Sequence, residues 1–281
     1  MIELMALANT AVEMKLIKQL SELHDLLKNI GKTEKNPNVF RNVRHLLSII
    51  ESKPYLRSNI DDLLWFYSHG LSECRKILDF GCGSGYISYM LSFLVNKVIG
   101  YEYKGSTIGV NLSTDGMSVL QQIILNNSFR KKQENLEFHF YEKLPLNIEN
   151  ETFDGIVLYA VIEHLDEKIK ENVLSELHRI LKPEGYLFLA KLPSQYSYQE
   201  QLARLLNIPS HKILFTRKSV MDLLDNRFSV RNIERADLFF QYPPLTNVLF
   251  PNMRTETLIK NYLNFLTFIA HNFRIVAIKR E

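Results

Sequence analysis

The chain has 281 residues, 46% of them hydrophobic and 23% charged, which excludes a disordered or fibrous polypeptide and suits one large α/β domain or a core with appendages. Its 34 basic and 31 acidic side chains leave a formal charge of +3, too small an excess to imply a nucleic-acid partner. The 2 cysteines, Cys74 and Cys82, are too few for a disulfide framework and lack neighbours at zinc-site spacing, so a reducing, cytoplasmic setting without a metal is expected.

The N-terminus does not read as a signal peptide, because Glu3 stands where a basic segment belongs and Asn9 and Glu13 break the apolar residues. No uninterrupted apolar run approaches the ~18 residues of a spanning helix, although peripheral membrane contact stays open. Residues 1–72 are expected to form a helical cap or lid. Met5, Ala8, Val12, Leu16, Leu20, Leu23, Leu27 and Ile30 recur at helical spacing, with Gly31 as the stop. A second helix starts near Pro37-Asn38, carries Val39, Val43, Leu46, Leu47 and Ile50 on one face, and ends before Pro54. A third follows Asn59 with Leu63, Leu64, Phe66, Tyr67 and Leu71.

From residue 75 the pattern changes to short apolar strands alternating with helices, the signature of βαβ units, so 73–281 reads as a second, α/β domain. Strands are predicted near 76–80, 97–102, 136–141, 153–159, 185–192, 228–234 and 273–279. Helices are predicted near 86–95, 115–127, 166–181 and 216–225, with Arg130-Lys131-Lys132 as a solvated helix end. The insert 236–271, before the last strand, holds Pro243-Pro244 and Phe239, Phe240, Tyr242, Phe250, Phe265 and Phe268. Those aromatics are either core or the wall of an apolar acceptor site.

Chemistry concentrates in Lys76-Ile77-Leu78-Asp79-Phe80-Gly81-Cys82-Gly83-Ser84-Gly85-Tyr86, a strand, a glycine turn and a helix start. A glycine loop alone also fits a dinucleotide site, but there a pyrophosphate would meet Asp79 and be repelled. A ligand with an ammonium group is instead attracted by that carboxylate. Glu102 ends the next strand, 23 positions after Asp79, where a carboxylate can accept both hydroxyls of a ribose.

These residues resemble the class I S-adenosylmethionine-dependent methyltransferases of the small-molecule type. Ile77 to Gly85 is similar to that family's first motif. Glu142-Lys143-Leu144-Pro145-Leu146, Phe153-Asp154-Gly155-Ile156-Val157, Val161-Ile162-Glu163-His164-Leu165 and Leu177 to Tyr186 resemble its later segments, so the resemblance is strong over 75–192 and looser over 216–281. It implies a Rossmann-like, seven-stranded, mostly parallel, doubly wound sheet whose last strand runs antiparallel. It also implies S-adenosylmethionine across the strand C-termini, held by Asp79, Gly81, Cys82, Gly83, Gly85, Tyr86, Glu102, Tyr103, Glu142 and Tyr159.

Two features depart from the family pattern. Phe140, between His139 and Tyr141, stands where relatives carry an Asp for the adenine amino group, so either Glu142 or aromatic and backbone contacts take that part. Ile108 to Ser113 also looks like a second-strand end, but Asn111 lies too far from Asp79, and Glu102 is preferred.

Methyl transfer needs alignment above all, and a general base only when the acceptor is a hydroxyl. His164 is read either as a cap of the next helix or as that base, and His211 is the second candidate. Tyr196 and Tyr198 read as pocket walls. Leu158-Tyr159-Ala160-Val161 is not the Asn/Asp-Pro-Pro-Tyr/Phe signature for nucleobase amines, and Gln241-Tyr242-Pro243-Pro244 comes too late. The expected activity is methylation of a hydroxyl on a small or lipid-like acceptor, by a monomer or homodimer. The alternatives are an RNA or protein methyltransferase and a non-catalytic scaffold, with a nucleotide-dependent oxidoreductase disfavoured by Asp79 and by Tyr86 at the third-glycine position.

Overall fold

The structure is a computed structural model that describes residues 10–33, 35, 37–104, 134–207, 211–224, 226–238 and 264–281. The helix expected at 115–127, Asn111, and Phe239, Phe240, Tyr242 and Phe250 of the insert lie outside the described residues. The chain forms two compact units, residues 1–143 and 144–281.

The first unit begins with helices α1 (Ala11–Thr33), α2 (Pro37–Glu51) and α3 (Lys53–Ser68). Much of the helical spacing read from sequence is the buried face: Leu16, Leu20, Leu23 and Leu27 of α1 are buried, as are Val43, Leu46 and Ile50 of α2 and Leu63 and Phe66 of α3. Leu56 and Ile60, not foreseen, join them, while Leu47, Leu64 and Tyr67 are only partly buried. Arg57 on α3 ties this bundle together, pairing with the buried Glu13 of α1 and, at 2.8 Å, with Asp61.

Two helix boundaries differ from expectation. Helix α1 passes through Gly31 to Thr33, and Gly31 does not take the left-handed conformation of a C-terminal cap. The roughly 1 kcal/mol that glycine costs inside a helix is offset by the packed stripe that precedes it, which ends at Leu27. Helix α3 starts before Asn59, because Pro54 sits in its first turn, where the missing N–H costs nothing.

Strands β1 (Lys76–Phe80), β2 (Lys97–Tyr103) and β3 (Leu136–Tyr141) complete this unit, with the short helix α4 (Tyr86–Leu91) between β1 and β2. All three strands run parallel, with Asp79 beside Gly100 and Phe80 beside Tyr101 in the register. Helix α4 is shorter than the expected 86–95, and every one of its residues is buried.

The second unit contains β4 (Phe153–Tyr159), α5 (Glu167–Ile180), β5 (Leu181–Pro193), α6 (Tyr198–Leu205), α7 (Arg217–Leu224), β6 (Phe228–Ala236) and β7 (Asn272–Lys279). Strand β4 is parallel to β5, and β7 is antiparallel to both β5 and β6. The C-terminal ends of β4, β5 and β6 and the N-terminal end of β7 therefore share one end of the sheet. The strand order is β3-β2-β1-β4-β5-β7-β6, seven strands as expected, with the last antiparallel. Strand β5 starts earlier than the expected 185, and helix α6 was not foreseen.

Helix α5 is capped by Asp166, whose Oδ1 accepts from the Ile169 N–H at 2.9 Å, so His164 is not the capping residue. Phe268 of the insert is 56% exposed and not core. Among the described residues, no helix is long and apolar enough to cross a membrane.

Gly100 is required by what surrounds it. A Cβ there would lie 2.7 Å from the Phe138 ring and 3.0 Å from Cys82 Sγ. Gly100→Ala is expected to destabilise the protein by about 1–3 kcal/mol through overpacking, read as a lower urea midpoint at unchanged slope. An unchanged midpoint would show that the glycine loop tolerates displacement of Cys82.

Candidate functional site

At the C-terminal ends of β1 and β2 the chain builds a polar cradle from buried backbone. Gly81, Gly83 and Gly85 all take positive φ, of 75°, 52° and 78°, conformations that side chains rarely adopt. The Gly81 and Cys82 N–H groups donate to the Tyr101 carbonyl at 2.8 and 3.1 Å, which pins the loop to β2. At Gly83 the space that a Cβ would enter is empty to 4 Å, as close approach of a ligand requires.

Two carboxylates face this loop. Asp79 is 1% exposed and accepts from the Ser88 hydroxyl at 2.5 Å. Burial pushes its pKa up to about 7, with the Ser88 bond opposing and the Glu102 charge adding to the rise. Glu102, also buried, accepts from the Gly83 N–H through Oε2 at 2.6 Å. Burial, then Asp79 and Glu102, push the Cys82 thiol well up, so it is no nucleophile. A buried acid this costly is relieved by a cation, and a carboxylate at the strand end has lone pairs for hydroxyl donors. The residues thus fit the amino-acid and ribose parts of S-adenosylmethionine.

Three further expected cofactor residues, Tyr86, Tyr103 and Glu142, lie in this unit. Tyr86 is buried in the first turn of α4. Tyr103 is 45% exposed, with its ring 5.6 Å from that of Tyr141, which itself stacks on Phe80 at 5.3 Å. Glu142 is exposed, just beyond β3, and paired with Lys104 at 2.7 Å.

Six of the described non-glycine residues of the second unit take positive φ, and three of them lie at one end of the sheet: Ala160 after β4, Lys191 near the end of β5 and Asp237 after β6. Such strain collects at functional sites. Lys191 pairs with Asp237 at 2.9 Å and lies 5.7 Å over the ring of Tyr159, the last residue of β4.

His164 and His211 come together at this same end, with ring centroids 6.3 Å apart. Burial, and then the charge of His211, lower the pKa of His164. Its neighbour Glu163 is buried, and desolvation raises that carboxyl to about 8. His211 is held by Glu200, whose Oε1 lies 2.7 Å from Nδ1 and whose Oε2 accepts the His211 N–H at 3.1 Å.

Glu163, Lys191, Glu200, Asp237 and His271 escaped the sequence reading. Only Glu163 had a local signal, its place in the Val161 to Leu165 motif; the others are brought to this end by the sheet.

A family described as "Methyltransferase domain" matches residues 20–227, about three quarters of the chain, starting inside α1 rather than at β1. Mouse arsenite methyltransferase is 30% identical over 150 residues, covering 52% of this chain and 36% of that one. Bovine mitochondrial ubiquinone biosynthesis O-methyltransferase is 26% identical over 191 residues, covering 64% of this chain and 48% of that one. The chain thus matches less than half the length of these two curated relatives. The PH0226 protein of Pyrococcus horikoshii shares the fold, with a TM-score of 0.53 and 18% identity over 80% of this chain and 92% of that one. Fold, glycine loop and family match agree: the chain belongs to the methyltransferase-domain family, on the Rossmann-like fold of S-adenosylmethionine-dependent methyltransferases.

Proposed function

We propose that the protein transfers a methyl group from S-adenosylmethionine to a hydroxyl of a small or lipid-like acceptor. The observation that carries the donor is the pair of buried carboxylates, Asp79 and Glu102, around a glycine loop with open space at Gly83. When bound, the sulfonium supplies an activated methyl, so the chain needs only to bind, align and exclude water. Asp79 pairs with the ammonium group, and Glu102 accepts from the ribose hydroxyls.

An O–C bond forms as the S–C bond breaks, and the hydroxyl proton passes to a base. His164 suits that part, because its lowered pKa keeps the imidazole neutral and able to accept a proton at pH 7. The O-methyltransferase relative and the absence of a nucleobase-amine signature after β4 support an oxygen acceptor.

The test is transfer of labelled methyl to a panel of phenols, hydroxylated lipids, amines, RNA and protein. Label is expected in a methyl ether, with kcat falling about 10²-fold or more in His164→Ala while KM changes little. The acid limb of the wild-type rate profile is expected below pH 6.5, the direction of the His164 shift. Label confined to RNA or protein, or an unchanged kcat in the variant, would overturn the acceptor or the base respectively.

A further inference from the structure

Beside His164, the second unit holds a convergence of ligating groups that methyl transfer does not require. Glu200 lies on α6, His211 follows it in a loop, and His271 immediately precedes β7. One carboxylate oxygen is the hub: Glu200 Oε1 lies 2.7 Å from His211 Nδ1 and 3.8 Å from His271 Nε2. One donor atom from each of the three residues falls within 4.8 Å of the others. We propose that Glu200, His211 and His271 form a binding site for one divalent transition-metal cation of the zinc class.

The donor set is the first argument. Two imidazoles and one carboxylate form a borderline nitrogen–oxygen set that suits zinc, and three protein ligands leave a fourth position open. Around a tetrahedral zinc, with bonds of about 2.0–2.2 Å, neighbouring donors stand roughly 3.3 Å apart. The two Glu200 separations bracket that spacing, and all three donors lie within 4.8 Å of one another.

The outer shell is the second argument. Ser197 Oγ lies 2.9 Å from His271 Nδ1 and accepts from the Glu200 N–H at 3.2 Å. With Nδ1–H donating to Ser197, the Nε2 lone pair of His271 is turned towards the carboxylate. Glu200 is fixed from its other oxygen by the His211 N–H. Glu200 is buried, His271 nearly so, and His211 half-exposed, which gives a cation a way in.

Electrostatics is the third argument. The cluster offers a cation one carboxylate, Glu200, while the adjacent Lys191 and Asp237 pair with each other.

The experiment is titration of zinc chloride into the full chain against a chromophoric chelator, with no methyl donor present, so its result is independent of the methyl-transfer reading. One zinc per chain, bound in the micromolar range or tighter, is expected. His211→Ala and His271→Ala are each expected to weaken binding at least tenfold, and His24→Ala, paired with Glu51 in the first unit, to leave it unchanged. His211 is half-exposed, so its removal spares the core, and circular dichroism verifies folding.

Cobalt(II) gives a second readout. The visible absorption of tetrahedral cobalt is expected in the wild type and absent from His211→Ala. Folded wild type that takes up no stoichiometric zinc, or equal affinity in wild type and His211→Ala, would overturn the site.

Discussion

Asp79→Asn is expected to make the ligand-free protein more stable at pH 8 while removing most of its affinity for an ammonium-bearing ligand. The Asp79 carboxyl is 1% exposed, and burial, opposed by the Ser88 bond and reinforced by Glu102, lifts its pKa to about 7. An unfolded aspartate titrates near ~3.9. Between those two values the native state holds a proton that the unfolded chain has released, so stability declines as pH rises from about 4 to 7. Above pH 7 the full cost persists, on the order of 2–4 kcal/mol. Asparagine keeps the shape and the acceptor for Ser88 but carries no charge. Urea unfolding should therefore show a higher midpoint for the variant at pH 8, with the gap narrowing towards pH 4. A variant less stable than wild type at pH 8 would contradict the view of Asp79 as a carboxylate awaiting a cation. The same shift has a consequence for binding. An ammonium beside Asp79 favours its ionised form, so uptake of the methyl donor releases a proton near pH 6, and affinity rises between pH 6 and pH 8.

Glu102→Ala is expected to weaken S-adenosylmethionine binding by ten- to a hundredfold, about 1.4–2.7 kcal/mol. Two losses combine: the acceptor for the ribose hydroxyls, and the partner that holds the Gly83 N–H at 2.6 Å. The roles of the two carboxylates separate with 5′-methylthioadenosine, which keeps the ribose and lacks the ammonium. Its affinity should fall in Glu102→Ala and stay near wild type in Asp79→Asn. Equal losses in both variants would mean that the carboxylates act on the loop as a whole, not on separate parts of the ligand.

The glycine loop and its two carboxylates were legible in the sequence because they are local. Asp79 and the three glycines fall within 7 consecutive residues, and Glu102 ends the very next strand, although the Ser88 hydroxyl on Asp79 was not foreseen. The sheet was legible for the same reason, each strand being a short apolar run between turn residues. The second unit was less open to such reading. Glu200, His211 and His271 come from segments as far as 71 positions apart, and only the return of β7 beside β5 brings them together. Helix α6 hides itself, since its buried face includes Gln199 and Glu200 while Leu202 and Leu205 are exposed, the reverse of an amphipathic pattern. The early start of α3 was hidden by Pro54, which reads equally as the end of one helix or the first turn of the next. Glu142, offered in place of the absent Asp at 140, lies just beyond β3 and pairs there with Lys104, a contact that the sequence did not signal.

The measurement that bears most directly on the proposed activity is calorimetric titration of S-adenosylmethionine and S-adenosylhomocysteine into the wild type and Asp79→Asn at pH 8. The expected result is saturable one-to-one binding of both ligands to the wild type in the micromolar range, weakened at least tenfold in the variant, about 1.4 kcal/mol. Folded wild type that binds neither ligand, or a variant that binds both as tightly as wild type, would contradict the assignment of this loop to the methyl donor.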